Sequence, residues 1–152
     1  MTAALELVNN QVSYFYSEKK DSEEMVKLAK FLQQKYHYCR YLYFSWDAAS
    51  WHSSKYFLSQ LKQINDPTYR NNNQLPKIIL RPLPARAQFL NVIESVFSGM
   101  SRSIIQNSNY STVEEMRNAI DLYFKERNDF FRKNPHRAGN KIWGNERTKS
   151  SF

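Results

Sequence analysis

A chain of 152 residues with 41% hydrophobic and 15% aromatic content can bury a core and is too apolar to remain disordered. Its 22 Lys and Arg against 14 Asp and Glu leave +8, which points to a polyanionic partner, nucleic acid first and an acidic membrane surface second. One cysteine, Cys39, excludes an internal disulfide and a multi-cysteine zinc site, and three glycines leave no phosphate-cradling loop.

No apolar run approaches membrane-spanning length and no signal-peptide pattern opens the chain. The expectation is a cytoplasmic protein, nucleoid-associated if its partner is DNA, with no membrane partner. His37, His52 and His136 lie far apart and show no metal-ligand spacing.

In chain order, Leu5 to Val8 and Val12 to Tyr16 are β-prone runs around Asn9-Asn10-Gln11, which predicts a tight hairpin. Asp21 stands three residues before Glu24, the spacing of a capping box. Behind it Met25, Leu28, Ala29, Leu32 and Tyr36 recur at helical intervals. Arg40 to Trp46 reads as a strand with almost no polar interruption, hence one covered on both faces.

Ser53 or Ser54 can cap a helix with Phe57, Leu58, Leu61 and Ile64 inward. Asn65 to Gln74 is a loop by composition, and Lys77 to Leu80 a short strand stopped by Pro82 and Pro84. Leu90, Ile93, Phe97, Met100 and Ile104 form the stripe of the next helix. Ser111-Thr112 with Glu114-Glu115 opens the last, whose apolar side is Met116, Ile120, Phe124 and Phe131. The order hairpin, helix, strand, helix, strand, helix, helix is an α/β pattern, with the last two strands parallel across the helix between them. Periodicity fades from Arg132, so residues 1–134 form the folded domain and 135–152 a basic tail. No second domain is evident.

In open α/β sheets ligands bind beyond the carboxyl ends of the strands. Asp47, directly after an apolar strand, occupies that position, although a turn or capping aspartate is an equal reading. Glu94 follows a proline-punctuated loop and abuts Ile93, placing it at the core boundary; a glutamate on a helix is more often simply solvated.

The wording around both acids carries further information. Trp46-Asp47-Ala48-Ala49-Ser50-Trp51-His52 resembles the strand-end segment that bears the second catalytic aspartate of DDE transposases, in the bacterial insertion-sequence branch related to mariner elements. Leu83-Pro84, followed by Phe89-Leu90-Asn91-Val92-Ile93-Glu94, resembles the segment leading to that family's third acid. Asn134 to Gly144 is similar to a C-terminal ending in the same branch. The chain departs from the family at Val92, commonly proline, and at Ala48, often asparagine, and its acids are more widely spaced than usual.

The resemblance implies an incomplete ribonuclease-H-like fold: a mixed sheet flanked by helices, with the Leu5–Tyr16 hairpin as the family's second and third strands. The first, central strand with its aspartate is then missing from these residues. So is the helix-turn-helix region. It implies Mg²⁺ (or Mn²⁺) as cofactor, with Asp47 and Glu94 as catalytic residues and metal ligands. His52 and Asn91 are candidate substrate contacts, and Arg81, Arg86, Arg132, Lys133, Arg137 and Lys141 candidate DNA contacts.

The implied partners are transposon-end DNA and an N-terminal fragment or a second copy. Without the first acid, these residues alone are expected not to cut DNA. The competing reading is a non-catalytic, basic nucleic-acid-binding remnant; a third is a decayed segment without function.

Overall fold

The computed structural model describes residues 1–46, 54–84 and 90–139. Its elements in order are β1 (Thr2–Glu6), β2 (Gln11–Phe15), α1 (Ser22–Lys35), β3 (Tyr41–Phe44), α2 (Lys55–Ile64), α3 (Pro67–Asn73), β4 (Lys77–Leu80), α4 (Val92–Met100), a π-helical turn (Ser101–Ile105) and α5 (Val113–Lys133). Among the described residues the class is mixed α/β, with five α-helices and two separate two-stranded sheets, β1–β2 and β3–β4. Contacts divide the chain into two compact units. One holds residues 1–3 and 14–91; the other holds 4–13 and the chain from Val92 onward.

In the first unit, Asp21 caps α1 by accepting from the N–H groups of Glu23 and Glu24 at 3.0 and 3.1 Å. Glu24 itself accepts from Lys27 at 2.6 Å. The expected stripe is buried at Met25, Leu28, Ala29 and Leu32, and joined by Val26. The second helix, α2, begins at Ser54, whose Oγ accepts from Phe57 N–H at 3.1 Å and lies 2.6 Å from the Ser22 hydroxyl. Phe57, Leu61 and Ile64 are buried as expected, whereas Leu58 is exposed.

The stretch read as a loop contains a short helix. Asp66 caps α3 at Tyr69 N–H, Pro67 opens it, and Gln74 ends it in the left-handed conformation at φ 52°.

Strands β3 and β4 pair in parallel, Tyr41 against Lys77 through Phe44 against Leu80, with α2 and α3 in the crossover. The pairing extends past the strands, since Arg81 N–H donates to Phe44 O at 2.7 Å and Leu83 N–H to Trp46 O at 2.9 Å. Side-chain amides satisfy the far side of β4. Asn65 accepts from Ile78 N–H at 2.9 Å and donates to Ile78 O at 2.8 Å, imitating a neighbouring strand. Buried Gln33 donates to Pro76 O at 2.8 Å. Such caps stop an edge from recruiting another strand. On its other side β3 has no strand neighbour among the described residues.

One expectation fails here. The sequence predicts β3 covered on both faces, yet Tyr41 and Tyr43 are exposed while Leu42 and Phe44 turn inward. The tyrosine hydroxyl explains why an uninterrupted aromatic run does not require two covered faces.

In the second unit, the turn of the hairpin docks on α5. Asn128 donates to Val12 O at 2.9 Å and accepts from Val12 N–H at 2.8 Å, the same device as Asn65. Arg127 donates to Asn10 O at 2.7 Å and to Asn10 Oδ1, and lies over the Phe131 ring. Burial pushes its guanidinium below its ordinary range. Asn10 makes the turn at φ 55°.

Ile120 and Phe124 are buried on α5, and Thr112 caps it at Glu115 N–H. The expected stripe on α4 is only half-buried, and Val96 is the buried residue instead. Residues 135–139, assigned to the tail, are held in part. Ala138 is buried and its N–H donates to Leu7 O at 2.8 Å.

Candidate functional site

The segment that bears the first candidate acid is anchored on both flanks. Ahead of it, Trp46 is buried, meets Phe57 edge-to-face at 5.8 Å, and accepts from Leu83 N–H through its carbonyl. Behind it, Ser54 is fixed as the α2 cap. Asp47 and His52 lie outside the described residues, as do Arg86 and Lys141.

The parallel register has a direct consequence for position. The carboxyl ends of β3 and β4 lie at one end of the pair, so Trp46 and Leu83 leave the sheet side by side. That end is where α/β sheets bind ligands.

Glu94 lies in the first turn of α4 and is exposed. The expected position at the core boundary is not what is found, and the reason is rotational. Successive helical residues turn by about 100°, so burying Val96 swings Glu94, two positions earlier, well away from the core. A carboxylate in a first turn is favoured by the helix dipole. Asn91, half-buried, immediately precedes this helix.

The basic candidates differ among themselves. Arg132 pairs with Asp129 on the same face of α5, which compensates its charge. Lys133 and Arg137 are exposed. Arg81 is exposed and lies 6.0 Å from the centre of the Tyr43 ring. His37 interacts through Nδ1 with Gln34 O at 3.1 Å. His136 lines a shallow hollow with Phe130, Phe131, Asn134 and Pro135. Among the described residues no three His, Cys, Asp or Glu side chains gather around a common point, and no helix is long and apolar enough to cross a membrane.

Composition read over the whole chain hides a signal that a local count finds. Between Met25 and Ile93 there are ten basic residues and two acids, Asp47 and Asp66, a surplus of eight. That equals the net charge of the whole protein, so the remaining residues balance. The basic character therefore belongs to the first unit as much as to the tail. No family model, no curated protein and no solved structure matches the chain.

Proposed function

We propose that these residues are the C-terminal part of the catalytic domain of a DDE-type DNA transposase, with an incomplete ribonuclease-H-like sheet. The observation that carries the reading is the parallel β3–β4 pair, whose carboxyl ends bring Trp46 and Leu83-Pro84, the residues that open the two family-like segments, to one end. Two further features support it. Among the described residues the four strands fall into two pairs rather than one sheet, as the lack of a central strand would leave them. The far side of β4 is capped by Asn65 and Gln33, so β3 offers the side on which that strand would pair.

When bound, Mg²⁺ would supply Lewis-acid chemistry for DNA strand cleavage and transfer. Asp47 and Glu94 would hold it, being hard oxygen donors of the type the ion prefers. The exposed position of Glu94 in the first turn of α4 supports that role. Two of the family's three acids would leave the metal site one anionic ligand short, so these residues alone are expected not to nick DNA.

The test supplies the polypeptide encoded immediately upstream, linked to the chain or mixed with it. Mg²⁺-dependent nicking of element-end DNA should appear and should fall at least 100-fold in Asp47→Asn, as loss of a principal charge-stabilising group does. A soluble stoichiometric assembly that fails to nick, or nicks equally well in Asp47→Asn, contradicts the proposal. Salt-sensitive DNA binding indifferent to Asp47→Asn and Glu94→Gln, without nicking, would instead establish the non-catalytic binding reading.

A further inference from the structure

The outward face of the β3–β4 pair is built from aromatic rings flanked by cations. Tyr41 and Tyr43 alternate onto it from β3 and are 41% and 64% exposed. Their ring centres are 6.5 Å apart and their planes inclined by 46°, so they do not stack on each other and neighbouring positions along the strand each present a ring. On β4, Lys77 and Ile79 lie opposite them in register. The Arg40 guanidinium is 5.3 Å from the Tyr41 ring centre and that of Arg81 is 6.0 Å from Tyr43. Each ring therefore has a guanidinium beside it. No acid lies within the sequence from Met25 to Trp46, or from Pro67 to Ile93.

We propose that this face binds single-stranded DNA, with unpaired bases on Tyr41 and Tyr43 and phosphates on Arg40, Lys77 and Arg81. Three physical arguments select this occupant. Aromatic rings within a positive surface are how single strands are held without base-specific hydrogen bonds. A duplex, with its bases already stacked, would use the cations and leave the rings idle. A second copy of the chain would bring the same three cations against themselves, and like charges directly opposed are destabilising. The contact involves no metal, so an assay in chelator separates it from strand cleavage.

Fluorescence anisotropy of a labelled 15-nucleotide oligo(dT), and of a duplex of the same length, measured in EDTA, tests this. The intact chain should prefer the single strand. Replacing Tyr41 and Tyr43 together by alanine should weaken oligo(dT) binding about 100-fold, with duplex binding little changed, given the usual contribution of each stacked base. Phenylalanine at both positions should restore it, because the ring and not the hydroxyl does the stacking. Arg81→Gln should lower the steepness of the salt dependence for oligo(dT).

Both tyrosines are exposed, so the variants should melt like the parent chain by circular dichroism. The proposal is overturned if the folded double-alanine variant binds oligo(dT) as the parent does. It is equally overturned if the parent chain shows no preference for the single strand.

Discussion

Phe57→Ala is expected to destabilise the protein by about 3–5 kcal/mol, the usual range for a fully buried phenylalanine. Phe57 has no exposed surface, lies on α2, the helix that packs against α1, and meets Trp46 edge-to-face. Truncation removes the transfer free energy of the ring and leaves a cavity that neighbours fill only partly. It also removes the edge-to-face contact with Trp46, itself worth about 0.5–1.5 kcal/mol. A domain of ordinary stability holds about 5–15 kcal/mol, so this one change consumes a large fraction of it.

On the proposed function the change also bears on the candidate site, because Trp46 immediately precedes Asp47 in the sequence. Chemical denaturation should show the midpoint falling sharply, with Phe57→Leu recovering most of it. A loss under about 1 kcal/mol for alanine would mean that Phe57 is not part of the core of its unit.

Asn65→Ala and Asn128→Ala should each lower stability by about 2–3 kcal/mol, more than a polar side chain near a surface ordinarily costs. Each amide holds both the N–H and the C=O of one strand residue, Ile78 for Asn65 and Val12 for Asn128. Alanine leaves two partly buried backbone groups unpaired, at about 1–3 kcal/mol apiece, reduced by the water that can reach them. Asn65→Asp makes the mechanism visible. It keeps an acceptor for Ile78 N–H but sets a carboxylate against Ile78 O, which raises its folded-state pKa. The variant should therefore approach the parent's stability at low pH, where a carboxyl O–H can donate. It should lose that stability as pH rises through the folded pKa. A variant whose deficit relative to the parent does not change with pH would show that the Ile78 carbonyl does not need a donor.

How much of this was legible in the sequence depends on whether the governing interaction is local. Asp21, Ser54 and Thr112 were readable as caps because a cap acts within three residues. The stripes on α1 and α2 were readable because burial imposes helical spacing, although Leu58 shows that a stripe of mixed width overstates its buried edge. Helix α3 was missed because it has no apolar stripe. Asp66-Pro67 carried the only signal, a cap followed by a proline at the first helical position.

The sequence puts Glu94 at the core boundary only if Ile93 is the buried residue; the burial of Val96 rotates the helix instead. Asn65, Asn128 and Gln33 could not be found from sequence, because their partners lie 13, 116 and 43 residues away. The open tyrosine face of β3 was likewise invisible to hydropathy, since an amphipathic ring satisfies either side of a sheet. The two acids stood out for a different reason, the wording around them, and that wording does not by itself supply the geometry of a metal site.

Titration of the chain with Mn²⁺, following the electron paramagnetic resonance of the free ion, tests the central claim most directly because it asks only whether Asp47 and Glu94 hold a divalent cation. The chain should remove Mn²⁺ from solution, Asp47→Asn and Glu94→Gln should each weaken the uptake, and Mg²⁺ should compete for it. A chain carrying both substitutions that takes up Mn²⁺ as well as the parent does would contradict that claim.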